Sequence, residues 1–350
     1  MFFTSDNAAG VHPDILASVA RAAEGPAMGY GSDPLTARVE DRIREVFEAP
    51  EARTYLVATG TAANGLALAC LCPPWATVYT HHGSHIEEDE CAGPEFFTGG
   101  AKLTLVGGDD AKIDATGLAE KIRAAAPRGV QNVQPGALSI TQATELGTVY
   151  SLDETARLTG IAHQARIGVH MDGSRFANAV ARLGCTPAEA SWKAGVDILC
   201  LGATKNGAMG SEAVVIFDPA KAWEFELRRK RGGHLFSKMR FVAAQMDAYL
   251  SDGLWLTMAG HANAMAGRLA AGIAAAPGAK VLNTVEANMI FAELPLAAHR
   301  RLQAEGARYY PAHGGQDETG PDDAPFTARL VASFETTEAE VDRFIEVLRG

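Results

Sequence analysis

The pattern that most restricts the fold of this 350-residue chain is an alternation of short apolar runs with stretches of helical spacing. The runs are T-Y-L-V-A-T (54–59), T-V-Y-T (77–80), L-T-L-V (103–106), A-L-S-I-T (137–141), I-G-V-H-M-D (167–172), D-I-L-C-L (197–201) and E-A-V-V-I-F (212–217). Helical spacing falls between them at 62–70, 115–125, 153–165 and 187–193, and before them at 14–23 and 35–47, where Val39, Ile43 and Val46 share one face. Such alternation predicts an α/β fold, with a mostly parallel seven-stranded sheet covered by helices on both faces.

From about residue 240 the pattern changes to an Ala-rich helical stretch (241–276), an apolar run (288–294), a helix (296–305) and a strand F-T-A-R-L-V-A-S-F (326–334), with a polar loop at 311–323. The expectation is a large domain over residues 1–245, opened by an arm at 1–13, and a smaller α+β domain over 246–350.

A net charge of -11 gives no field that would gather phosphate backbones or anionic lipid, and the one dense basic stretch, R-R-K-R at 228–231, reads as a helix end or a phosphate contact. No apolar run approaches the ~20 residues of a membrane span. M-F-F-T-S-D-N lacks a basic start and an apolar core, so a cytoplasmic protein without nucleic-acid or membrane partners is expected. Cys70, Cys72, Cys91, Cys185 and Cys200 form no C-x-x-C pair and read as free thiols.

Ligands of open α/β sheets collect at the carboxyl ends of the strands, and four groups of polar residues follow predicted strands here. In A-T-G-T-A-A-N-G (58–65) a strand turns through Gly60 and Thr61 into a helix whose free N–H groups suit an anion, or form a capped turn. In V-H-M-D-G-S-R-F (169–176) a buried strand ends on Asp172, whose partner is either Arg175 or a ligand cation. In L-G-A-T-K-N-G (201–207) one lysine, Lys205, lies between two strands, with no acid before Glu212 to hold its ammonium charged. In H-H-G-S-H-I-E-E-D-E (81–90), His81, His82, His85 and Glu88 admit a metal-site reading, but the spacing matches no zinc signature, and a histidine over an aromatic ring explains His85 as well. An anion cradle, a carboxylate for a ring nitrogen, a lysine for an aldehyde and a histidine together describe pyridoxal 5′-phosphate (PLP).

Over nearly the whole chain the sequence also resembles the threonine aldolases, of the aspartate-aminotransferase-like (type I) PLP enzymes. The resemblance rests on S-D-N (5–7), G-Y-G-S-D-P-L-T (29–36), G-T-A-A-N (60–64), S-H-I (84–86), H-M-D-G-S-R (170–175), T-K-N-G (204–207) and A-R-L-V (328–331) in this order. It implies that Lys205 carries PLP as a Schiff base, that Asp172 pairs with the pyridine nitrogen and that His85 lies over the ring as candidate base. It implies that Gly60, Thr61 and Thr204 hold the phosphate with Arg240, that Asn64 belongs to the cofactor site, and that Ser5, Arg175 and Arg329 take the substrate carboxylate. The expected reaction is reversible retro-aldol cleavage of β-hydroxy-α-amino acids such as L-threonine or L-allo-threonine to glycine and an aldehyde. The H-M-D-G, T-K-N-G and W-K-A-G (192–195) motifs resemble the low-specificity branch. Where many relatives carry a second active-site histidine, Gln131 takes the place, and Asn206 follows the lysine.

Type I sites imply a homodimer or homotetramer with active sites at the dimer interface, the loop of Tyr30 approaching the neighbour's cofactor. The alternatives are a β-eliminating PLP lyase of the same fold and, from another class, a metalloenzyme built on residues 81–88. Nicotinamide and α/β-hydrolase chemistry are disfavoured, since no G-x-G-x-x-G follows a strand and no G-x-S-x-G occurs.

Overall fold

The computed structural model describes residues 1–312, 316 and 318–350. Part of the polar loop expected at 311–323 lies outside the described residues.

Seven strands form the larger sheet: β1 (Arg53–Val57), β2 (Ala76–His81), β3 (Lys102–Val106), β4 (Gln134–Thr141), β5 (Gly168–Gly173), β6 (Ile198–Gly202) and β7 (Glu212–Ile216). Their order is β1-β7-β6-β5-β4-β2-β3, and every neighbouring pair is parallel except the two that involve β7. The strand β6 is buried along its whole length, as a central strand covered on both faces must be. Because β7 runs against its neighbours, its first residue lies at the edge where they end: Glu212 sits opposite Gly202 and Val57.

Local chemistry sets the helix limits. Asp33 accepts N–H bonds from Leu35 and Thr36 ahead of the Pro34–Val46 helix, whose first position is a proline, and Ser151 with Glu154 forms a capping box on Leu152–Gln164. The helix expected at 187–193 is absent. The crossover from β5 to β6 is instead made by Phe176–Leu183, which ends at Gly184 in the left-handed region (φ 64), and only a single 3-10 turn, Trp192–Ala194, remains of the expected element. The segment F-A-N-A-V-A-R-L directly after H-M-D-G-S-R carried that helical signal, its apolar stripe facing the sheet.

A second sheet, β10-β11-β9-β8, joins β8 (Lys280–Val281), β9 (Met289–Pro295), β10 (Tyr310–Pro311) and β11 (Pro325–Val331), all antiparallel. The Ala-rich stretch forms two helices, Arg240–Leu250 and Leu254–Ala274, broken at Gly253 (φ 71). The core of the large sheet extends through Leu250 to Ala259, and that of the small sheet begins at Met265 and takes in Phe3 from the arm. Residue 245, the expected boundary, therefore lies inside a helix that packs on the large sheet.

No helix among the described residues is long and apolar enough to cross a membrane.

Candidate active site

The carboxyl ends of β1, β2, β5 and β6 and the start of β7 converge on one cleft, lined by Gly60, Thr61, His85, Thr204, Lys205 and Glu212 among others. Each is delivered by a turn. Thr59 caps the Gly60–Leu71 helix, so the first-turn N–H groups of Gly60 and Thr61 have no partner within the helix. Lys205 sits in the single turn Thr204–Asn206, closed by Gly207 (φ 101) and fixed from below by Asn206, which donates to the Tyr249 hydroxyl (3.1 Å) and the Trp255 carbonyl (2.9 Å). Anchoring that turn explains an asparagine directly after the lysine.

Asp172 is fully paired: Ser174 donates to Oδ1 through its N–H (2.9 Å) and hydroxyl (2.7 Å), and Asn64 Nδ2 donates to Oδ2 (2.9 Å). Burial opposes its ionisation, but Lys205, His85 and the Ser174 bonds outweigh burial and hold the carboxyl below the usual range. Lys205 is pushed the other way: burial, then the Arg175 charge, lowers its ammonium from the ordinary lysine value. Glu212 nevertheless stands close by, so Lys205 does have an acidic neighbour. The run of glycines and small residues after Lys205 is a hairpin turn that folds Glu212 back against it.

His85 is gripped at two points by carboxylates. Its backbone N–H donates to Glu145 Oε1 (2.8 Å), and its ring Nδ1 lies 2.8 Å from Glu90 Oε1. The Glu90 bond is the main reason that the imidazole titrates above its ordinary value; burial works against it and Asp172 with it. Asn64 Nδ2 also donates to Glu90 (2.8 Å) and so bridges Glu90 and Asp172. The polar groups of a ring-bearing ligand would find unpaired partners here, since Asn64 Oδ1 and Glu90 Oε2 are buried with none.

Several expected residues stand elsewhere. Arg175 is not the partner of Asp172: its Nε and one terminal nitrogen grip Asp6 at 2.6 and 2.8 Å in a buried bidentate pair. Ser5 does not line the cleft; it caps the short turn Asp6–Ala8 that carries Asp6. Arg329, half-buried on β11, has no carboxylate within 4.0 Å among the described residues; burial and then the adjacent Arg175 lower its pKa. One of its terminal nitrogens donates to the Thr4 carbonyl (3.4 Å). Arg240 does not reach the cleft of its own chain and donates instead to the Gly25 carbonyl (2.9 Å), while Tyr30 is 55% exposed under Lys230. Gln131 is exposed ahead of β4, at the sheet edge opposite the cleft, too remote to stand in for an active-site histidine.

The metal reading changes as well. His81 bonds the Gly83 N–H and the Gly108 carbonyl and packs on His82, so residues 81–88 do not converge. The acidic and histidine atoms that do gather belong to His85, Glu90 and Asp172, and the Asn64 amide already donates between the two carboxylates.

Besides Glu212, the carboxylates Glu145, Glu90 and Asp6 were not assigned to the site from the sequence. Glu145 follows β4 and could have been found by extending the inspection of strand ends to T-Q-A-T-E (141–145); burial pushes it up to about 7 despite the His85 and Thr141 bonds. Asp6 lies in S-D-N and Glu90 at the end of the 81–90 stretch, but neither was assigned a role, because their partners Arg175, Asn64 and His85 are brought to them by tertiary packing.

Close packing at this edge is tight enough to test. A Cβ on Gly202 would lie 2.8 Å from the Ser174 backbone and 3.1 Å from Glu212. Gly202→Ala should therefore cost about 1–3 kcal/mol, read from urea unfolding, and disturb the seat of Asp172.

A family model described as "Beta-eliminating lyase" matches residues 3–295. The chain is 40% identical to the low specificity L-threonine aldolase of Pseudomonas aeruginosa, over 99% of this chain and 96% of that one. The solved threonine aldolase of Leishmania major superposes with a TM-score of 0.91 at 27% identity, covering 99% of this chain and 98% of its own. A serine palmitoyltransferase solved with PLP (TM-score 0.70, 17% identity, 100% of this chain and 86% of that one) shares the fold. By the matched model and the full-length relative, this chain belongs to the beta-eliminating lyase family, in its threonine aldolase group.

Proposed function

We propose that the protein is a PLP-dependent carbon–carbon lyase that cleaves L-threonine, L-allo-threonine and related β-hydroxy-α-amino acids to glycine and an aldehyde. The observation that carries this reading is the single cleft in which a lysine of lowered pKa faces an ionised, fully paired aspartate beside an open helix N-terminus. When bound, PLP supplies an aldehyde carbon and an electron-withdrawing ring.

The chain's own groups do the rest. Lys205 offers a nucleophilic amine because burial and Arg175 disfavour its charge. Asp172 presents a carboxylate to a ring nitrogen, and Gly60 and Thr61 present N–H groups to a phosphate. Arg329 takes the substrate carboxylate, while Arg175 and Asp6 form the fixed wall beside it. His85, with Nδ1 held by Glu90, keeps Nε2 to accept the proton of the substrate β-hydroxyl.

Neutral imidazole is the active form of such a base, so the rate should rise with pH through the raised His85 value. Glu90→Gln removes the main cause of that elevation, and the acidic limb of kcat/KM should move to lower pH. An unmoved limb would remove His85 from the role of base.

The substrate class is tested by giving the purified protein L-threonine and L-serine separately. Glycine plus acetaldehyde from the first is expected; pyruvate plus ammonia from the second, without aldol cleavage, would make it a β-eliminating lyase. A homodimer or homotetramer, with the exposed loop of Met28 and Tyr30 turned to a neighbour's cleft, and a cytoplasmic setting, in keeping with five free thiols, complete the proposal.

A further inference from the structure

One side chain of the cleft is out of place in a site that is to hold a phosphate. Glu212 is 6% exposed and lines the same cleft as Gly60, Thr61 and Thr204. The Thr204 hydroxyl gives its hydrogen to Glu212 Oε1 and accepts the Ser211 N–H at 3.2 Å. A carboxylate here would repel an anion, and it also uses the one hydrogen that Thr204 could offer to that anion.

Protonation of Glu212 removes both obstacles. The carboxyl O–H then donates to Thr204 Oγ1, whose two lone pairs are taken by Glu212 and Ser211, so the Thr204 hydrogen is free to turn into the cleft. Burial favours this form and pushes the carboxyl up to about 7, with the Thr204 bond and Lys205 working against it and Asp172 with it.

We propose that Glu212 is a positioning residue of the phosphate site that works in its protonated form, taking up one proton when an anion enters the Gly60–Thr61 cradle and directing the Thr204 hydroxyl onto it. The proposal rests on the reading of the cleft as a PLP site and adds to it a residue and a proton. The groups facing Glu212 are Lys205 after β6, Cys200 on β6, Asp172 on β5 and Tyr249 on the Arg240–Leu250 helix; the Gly60–Leu71 helix brings no charge. The Cys200 and Tyr249 groups are held neutral by burial and Asp172 is held ionised, so Lys205, whose ammonium burial and Arg175 lower from its ordinary value, is the one other group of this set whose charge the test has to cancel.

A comparison of two ligands cancels the contribution of Lys205. The dissociation constants of PLP and of pyridoxal, which has the same aldehyde and no phosphate, are measured from pH 6.5 to 9 on the full-length apoprotein. In the wild type the advantage of PLP over pyridoxal should shrink by up to about tenfold per pH unit above neutrality, the slope of a one-proton linkage. In Glu212→Gln, a neutral side chain of the same shape, the advantage should be flat. A flat wild-type ratio, or an unchanged slope in Glu212→Gln, overturns the proposal. Should the variant fail to fold, calorimetry of the wild type with PLP and pyridoxal in two buffers of different ionisation enthalpy counts the protons directly, and equal uptake for both ligands overturns it. If PLP bound at no pH, the reading of the cleft would fall by itself; sulfate, dianionic throughout this range, then probes the cradle, and an affinity independent of pH overturns the proposal on Glu212.

Discussion

Lys205→Ala should bind PLP without forming any borohydride-reducible bond to it and should lose aldol cleavage by at least about 10⁴-fold, as expected when the sole nucleophile of a covalent mechanism is removed. The loss should be chemical rather than structural. Lys205 belongs to neither large core, and the turn that carries it is fixed by Asn206 against Tyr249 and Trp255. The thermal midpoint is therefore expected to change little, and a folded variant with near-normal turnover would remove the lysine from the mechanism.

Asp172→Asn should have the second-largest effect, roughly 10²–10³-fold in kcat/KM, the range found when one preorganised electrostatic contact is lost. The amide retains the shape of the side chain. It loses the charge that Lys205, His85 and Ser174 maintain, and the Asn64 Nδ2 hydrogen is left facing a poorer acceptor. Because the lost charge also supports the lysine and the imidazole, PLP affinity and the His85 titration should weaken together. A variant defective in KM alone would mean that Asp172 serves substrate binding and not the ring nitrogen.

The alternation of strands and helices was readable because the period of apolar residues is a local property, and the seven runs of the large sheet all became strands of one sheet. Strand direction was harder to read. E-A-V-V-I-F carries no mark of running antiparallel, and that direction alone brings Glu212 to the cleft. The misplaced helix at 187–193 shows the same limit: Glu189 exchanges hydrogen bonds with Thr186 and Ser191 donates to the Pro187 carbonyl in a turn, while the shorter Phe176–Leu183 spans the crossover.

Gly60, Thr61, Asp172 and Lys205, which the structure gathers at one edge of the sheet, were proposed from their position after apolar runs, and Thr204 from the resemblance. Charges whose partners lie far along the chain were not. Arg175 was available as a carboxylate binder until its pairing with Asp6, 169 residues away, came into view. Glu90 likewise acts through His85 and Asn64, contacts that no spacing rule encodes.

The central claim is that Lys205 carries PLP in the cleft that cleaves the substrate. Reduction of the PLP-loaded wild-type protein with borohydride, followed by peptide mapping, tests it most directly. The account predicts one phosphopyridoxyl group per chain on the peptide containing T-K-N-G, and no label there when reduction follows loading of Lys205→Ala. Label distributed over other lysines, with T-K-N-G unmodified, would contradict it.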